Sequence, residues 1–277
     1  MAHRRRASIA KLLLFALGLL SACAATSTAS AQLQFIPDMG SHPVLGPRDA
    51  AGIVIWSHGR SQHREDSTAP TPPYIEGFRQ QRWDVIRLNR LRAFDDLENG
   101  PAALVGAARQ FKSEGYKRVI LAGQSFGAFI SLIAGDDSDD VDAIIATAPA
   151  AYPPVGTWIQ FNALKLYSLL EHTRRARVML FYFKDDEFDP GGRGARSEKI
   201  LAEHGIPHLV IDRPVDLMSH WAASTEKFAG EYADCIAAFA LDDDAKGSLR
   251  CSTVEQSEVR THPMAEPPAA GASDAPG

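Results

Sequence analysis

Apolar residues along this chain fall into short unbroken runs, and the segments between them carry helical spacing. Gly52-Ile53-Val54-Ile55-Trp56-Ser57, Trp83-Asp84-Val85-Ile86-Arg87-Leu88, Arg118-Val119-Ile120-Leu121-Ala122, Val141-Asp142-Ala143-Ile144-Ile145-Ala146-Thr147-Ala148 and Val178-Met179-Leu180-Phe181-Tyr182-Phe183 read as strands buried on both faces. His208-Leu209-Val210-Ile211 reads as one more strand, and Gln32-Leu33-Gln34-Phe35-Ile36-Pro37 as at most a short edge strand. Helices are expected to open at Pro73-Tyr74, to run over 98–114 through Leu104, Ala107 and Phe111, and to follow Ser125 as far as Gly135. Others are expected near 162–174, 195–204 and 222–241.

Strand and helix therefore alternate, which predicts an α/β protein with a doubly wound, mostly parallel sheet and right-handed crossovers. Residues 149–177 break the alternation with Pro153-Pro154 and an aromatic-rich stretch, and are read as a small cap. Tyr152, Trp158, Phe161 and Tyr167 there have two readings of equal weight, the lining of a substrate pocket or the packing of a helix.

At 277 residues, 45% hydrophobic and 23% charged, the chain suits one globular domain, assigned to 32–251. Net charge is −5, and the one dense basic cluster, Arg4-Arg5-Arg6, stands at the N-terminus, so nucleic-acid binding has little support. That basic region, the apolar stretch from Leu12 to Leu20 and the small residues after it form a signal peptide over 1–31, too short to span a bilayer. Two processing sites compete: Ala29-Ser30-Ala31 fits a general signal peptidase, and Leu20-Ser21-Ala22-Cys23 resembles a lipoprotein lipobox. Either predicts export, to the periplasm or beyond, with a membrane partner only if Cys23 is lipidated. Export leaves Cys235 and Cys251 as a pair in an oxidising compartment, where a disulfide would close a loop of about fifteen residues and contribute on the order of 3 kcal/mol; the alternative is two unpaired thiols. The tail 252–277, rich in Pro, Ala, Gly and Ser, has too little apolar surface to order.

The candidate chemistry centres on Gly123-Gln124-Ser125-Phe126-Gly127, between a buried strand and a helix start. Two glycines without Cβ let strand and helix approach closely while Ser125 occupies a sharp, strained turn with its hydroxyl exposed; helix capping by Ser125 is the bland alternative. Ligands bind beyond the carboxyl ends of the strands of a doubly wound sheet. His58-Gly59-Arg60, Ser125, the carboxylates Asp185 to Asp189, and His220 all follow strands. A serine hydroxyl needs an imidazole to take its proton, and the imidazole needs a carboxylate to fix its tautomer. Metal binding has no support: His58 and His63 are five apart in a loop, the acidic run 136–140 lacks the spacing of a calcium loop, and no Cys-x-x-Cys or His-Glu-x-x-His occurs.

The order Ser, acid, His, together with His58-Gly59 after a strand and the Gly-Gln-Ser-Phe-Gly turn, resembles the α/β-hydrolase superfamily over roughly 53–239. The compact size and small cap are similar to serine-hydrolase and esterase relatives of the dienelactone hydrolases, although that enzyme has cysteine where this chain has Ser125. The resemblance implies an α/β-hydrolase fold, Ser125 as nucleophile, His220 as base and then acid, and no cofactor. It implies an oxyanion hole from the backbone N–H groups of Phe126 and Arg60, with His58 shaping the turn. The family's acid, followed by a proline, falls at Asp186 before Pro190; Asp189 is the rival and Asp185 the third candidate. His172, His204 and His208 are read as surface or packing residues. The expected activity is carboxylic-ester hydrolysis by a monomer acting on a small-molecule acyl substrate, with a peptidase or amidase and a non-catalytic binding protein as alternatives.

Overall fold

The structure, a computed structural model, describes residues 33–60, 70–90, 95–189 and 191–241. The predicted signal peptide, Cys23, Cys251 and the C-terminal tail lie outside the described residues. Seven strands, β1 (Leu33–Pro37), β2 (Ile53–Ser57), β3 (Asp84–Arg90), β4 (Val119–Gln124), β5 (Ala143–Thr147), β6 (Arg177–Tyr182) and β7 (His208–Asp212), form one sheet in the order β1-β3-β2-β4-β5-β6-β7. Only β1 runs antiparallel, against β3 at the edge; β2 to β7 pair in parallel. The helices are α1 (Glu76–Gln80), α2 (Asn99–Glu114), α3 (Phe126–Asp137), α4 (Thr157–His172), α5 (Arg193–Glu203) and α6 (Glu226–Leu241).

The unbroken apolar runs have a simple cause: both faces of the sheet are covered, and alternate residues enter different cores. Ile53, Ile55, Val119, Leu121, Val178 and Leu180 pack with Leu104 of α2, Phe129 of α3, Leu166 of α4 and Leu201 of α5. Val54, Trp56, Ile120, Ala122, Met179 and Phe181 point the other way, onto Phe78 of α1 and Phe228, Tyr232 and Ile236 of α6. Each fully buried aliphatic or aromatic side chain contributes about 1.5–3 kcal/mol, so the central strands tolerate little polarity on either face.

Two helix boundaries differ from expectation. α4 begins at Thr157, not near Asn162, because Gly156 (φ 54°) completes the turn that Pro153-Pro154 starts, and the helix can form at once. Its first turns carry Trp158 and Phe161 in solvent, which hides the period that marks a helix with a buried face. The last helix is split. A single 3-10 turn at Ala222–Ser224 precedes α6, and Thr225 separates them, its Oγ1 accepting the Phe228 N–H at 3.2 Å as an N-cap.

The close approach of β4, α3 and β2 positions everything at the carboxyl edge. A Cβ on Gly123 would collide with the backbone of Gly127, and one on Gly127 would collide with the Ser57 carbonyl at the end of β2. Gly106, exposed inside α2, has nothing within 4 Å of where its Cβ would stand. The two glycines therefore predict opposite signs: Gly127→Ala should destabilise the fold by about 3 kcal/mol, and Gly106→Ala should stabilise it by about 0.5–1 kcal/mol. Urea denaturation of both variants beside the parent checks the pair.

Candidate active site

Ser125 stands between β4 and α3 with φ 55° and ψ −118°, a conformation that costs a non-glycine residue roughly 1–3 kcal/mol. Its neighbours hold it there. The Ser125 N–H donates to the Thr147 carbonyl at 2.9 Å, and its own carbonyl accepts from Phe129 at 3.1 Å and Ala150 at 3.2 Å. The side chain cannot follow the helix and projects from the apex, while the Phe126 N–H opens the first turn of α3, where backbone donors lack helical partners and the dipole favours negative charge.

His220 and Asp186 arrive on the loops after β7 and β6. These loops are tied to each other before either reaches the serine: Arg213 N–H donates to Tyr182 O at 2.8 Å, Lys184 bridges Met218 in parallel, and Ser219 N–H donates to Lys184 O at 2.8 Å. Positive φ at Asp185 (56°) and Ser219 (78°) turns the chain immediately before each functional residue. His220 Nε2 lies 2.7 Å from Ser125 Oγ, and its Nδ1 lies 3.0 Å from both carboxylate oxygens of Asp186. With the proton on Nδ1, His220 donates to Asp186 and accepts the serine hydroxyl. Ser125, Asp186 and His220 are only 6, 3 and 2% exposed, so little water competes for these bonds.

The surroundings fix the imidazole further. Gln124 Nε2 donates to the His220 carbonyl at 3.0 Å, and the Phe188 N–H donates to Asp186 Oδ1 at 2.9 Å. The Phe188 ring lies 4.2 Å from the imidazole and the Trp221 ring meets it edge-on at 5.5 Å.

No protein-family model matches this chain, and no curated protein matches it. Solved structures do. A puromycin-hydrolyzing peptidase of Mycobacterium tuberculosis is 15% identical with a TM-score of 0.54, covering 72% of this chain and 36% of its own. The esterase domain of a Rhodothermus marinus protein is 14% identical with a TM-score of 0.51, over 76% of this chain and 98% of its own. Esterase 2 of Thermogutta terrifontis is 12% identical with a TM-score of 0.54, over 75% and 88%. The chain thus spans about a third of the peptidase and nearly all of the esterase domain. Identities this low speak for the fold alone, and the mostly parallel seven-stranded sheet with helices on both faces is in keeping with it. The chain has the α/β-hydrolase fold.

Within that fold, Asp189 and Asp185 take other places than Asp186. Asp189 is buried beside Arg193, whose Nε stands 3.2 Å from its Oδ1, and Arg193 Nη1 donates to the Pro149 carbonyl at 2.9 Å. The Asp189 N–H donates to Asp186 O, so the rival acid shapes the loop that carries Asp186. Burial pushes the nearby Tyr182 hydroxyl above its ordinary pKa, against the pull of Arg193, and it shares a hydrogen bond with Ser197. Asp185 is exposed. His58 Nδ1 lies 2.6 Å from Gly59 O, in the loop beside Ser125, while His172 and His208 contact backbone carbonyls of their own segments. Among the described residues no group of three or more His, Cys, Asp or Glu is placed to hold a metal ion.

A hollow of about 220 Å³ lies beside Gln124, lined by Trp56, His58, Gly59, Gln124, Trp221, Ser224 and residues 70–73. None of Tyr152, Trp158, Phe161 and Tyr167, read as pocket lining or helix packing, lines it, and Tyr152 and Tyr167 pack against the core. Tyr152, Trp158 and Phe161 instead form a cluster with centroids 5.1–5.8 Å apart, and Tyr167 lies under Arg196. Asn162 holds the start of that segment, its Oδ1 accepting from Ala151 and Tyr152 and its Nδ2 donating to the Tyr152 carbonyl. Sequence reasoning missed Asn162, although a lone amide on the buried face of an apolar helix is a signal. It also missed Phe188 and Trp221, which carry none.

Asp189→Ala would leave the Arg193 guanidinium buried without its counter-charge. It should cost about 3–5 kcal/mol, read as a lower urea midpoint at unchanged m-value.

Proposed function

We propose that this protein is a serine hydrolase that cleaves carboxylic esters through an acyl-enzyme. The observation that carries the reading is one imidazole within hydrogen-bond reach of both Ser125 Oγ and Asp186. His220 Nε2 takes the hydroxyl proton as Ser125 Oγ attacks the acyl carbon, and Asp186 stabilises the imidazolium. The tetrahedral oxyanion is held by the N–H groups of Phe126 and Arg60. His220 then gives its proton to the departing alkoxide, the C–O bond breaks, and the acyl group remains on Ser125. Water attacks the acyl-enzyme with His220 as base, His220 returns the proton to Ser125 Oγ as the bond from Oγ to the acyl carbon breaks, and the carboxylic acid leaves.

The hollow between the His58-Gly59 loop and Trp221 supports an uncharged substrate arm, because its lining among the described residues carries tryptophans, prolines, His58, Gln124, Ser224 and Thr71 and no lysine, arginine or carboxylate. Among those residues a peptide's ammonium terminus meets no carboxylate and its carboxylate terminus no lysine or arginine, which favours esters over peptides. The basic, apolar and small-residue pattern of 1–31 supports an exported enzyme.

A fluorophosphonate probe should label the protein, and p-nitrophenyl esters of short acids should turn over faster than the matching anilides. Ser125→Ala should abolish both labelling and turnover. Asp186→Asn should lower kcat by about 10⁴-fold with KM little changed, whereas Asp189→Asn should retain most activity per folded molecule. A folded protein that does not label is a binding protein, and faster cleavage of anilides marks an amidase.

A further inference from the structure

The buried pair Arg90 and Asp95 is not explained by the triad or by stability. Arg90 is the last residue of β3, its side chain is fully buried, and its Nε donates to Asp95 Oδ1 at 2.7 Å. Removing two charges from water is weak grounds for stability, because apolar residues of similar volume often serve as well. The guanidinium does something further. Its Nη2 donates to the His58 carbonyl at 2.6 Å and lies 3.4 Å from the Gly59 carbonyl. We propose that the Arg90–Asp95 pair is a positioning device that aims the Arg60 N–H at the oxyanion, an inference that rests on the serine-hydrolase reading above.

β2 and β3 run in parallel with Trp56 opposite Arg87, so three residues on, Arg90 stands level with Gly59. In a planar trans peptide the C=O and the following N–H point in opposite directions, and no described peptide bond is cis. Drawing the His58 and Gly59 carbonyls toward Arg90 therefore turns the Gly59 and Arg60 N–H groups away from β3. The strand order β3-β2-β4 puts Ser125 on that far side. The loop is also near enough: a Cβ on Gly59 would stand 3.2 Å from the Ser125 Cβ. Among the described residues no group accepts from the Arg60 N–H, which leaves that donor available to a ligand.

Asp95 also joins the two halves of the oxyanion hole. Its backbone carbonyl accepts from Arg60 Nη1 at 2.8 Å, and the Arg60 guanidinium lies 4.3 Å over the ring of Phe126, the other donor residue. Arg90 stands 5.6 Å from the same ring. Both backbone donors thus belong to residues tied to this one ion pair. The task needs a guanidinium, whose planar fork reaches a carboxylate through Nε while Nη2 engages carbonyls; an ammonium is a single point of charge.

The test uses the full chain as parent, Arg90→Lys and Asp95→Asn. Active sites are first titrated with a fluorophosphonate, and kcat, KM and the Ki of phenylboronic acid are then measured, since the boronate formed on Ser125 carries an oxyanion. The expected result is a fall of about 10²-fold in kcat per titrated site, KM within about 3-fold, and a Ki that rises in step with the loss in kcat/KM. A purely structural role lowers the number of titrated sites and leaves the kcat per site and the Ki as in the parent, and that outcome overturns the proposal. Asp95→Asn, nearly isosteric, decides the matter if Arg90→Lys does not fold. A parent that neither labels nor turns over defeats the hydrolase reading itself, whereas an active parent with unaltered variants defeats only the positioning role.

Discussion

At the carboxyl edge of this sheet, the first turn of α3 presses so closely on the end of β2 that no side-chain atom fits on Gly127, and none on Gly123 beneath it. That packing leaves Ser125 no relaxed path between β4 and α3. It takes a positive φ, and its hydrogen bonds to Thr147 and from Phe129 and Ala150 keep it there. The strain has a geometric return: a serine in ordinary helical geometry would turn its hydroxyl along the helix, whereas this one meets an imidazole 2.7 Å away. Rigidity of Ser125 thus begins with two missing methyl groups.

The sheet was legible because every central strand is buried on both faces. Such strands advertise themselves as unbroken apolar runs, and the helices between them leave only a parallel arrangement open. Legibility failed where the buried face was interrupted. α4 begins with Trp158 and Phe161 in solvent and hides its one informative polar residue, Asn162, inside. A pattern reader sees aromatics and places them in a core or a pocket; the structure packs Tyr152 and Tyr167 against the core and leaves Trp158 and Phe161 exposed, in ring contact with Tyr152.

Ser125 and His220 could be picked out because chain order and loop position restrict them. The acid could not be settled by the same means, since Asp185, Asp186 and Asp189 share one loop and differ only in direction. Direction is decided by contacts remote in sequence: the Lys184–Met218 bridge and the Ser219 N–H bond to Lys184 bring the two loops into register, so Asp186 meets His220. Asp189 is occupied by Arg193, whose role is invisible without the fold.

Two buried ion pairs flank the candidate site, and they share one construction. On the β3 side Arg90 is held by Asp95 and grips the His58 carbonyl; on the β6 side Arg193 faces Asp189 and grips the Pro149 carbonyl. In each, a carboxylate neutralises a guanidinium that would be costly alone, and one terminal nitrogen of the guanidinium donates to the backbone of a loop leaving a neighbouring strand. The loops held in this way are the one beside Ser125 that follows β2 and the one that carries the chain from β5 toward α4. Apolar replacements of equal volume could fill the same space, but they could not specify where a carbonyl points. The presence of charge in so dry a place is therefore better explained by the direction it imposes on peptide groups than by any gain in stability.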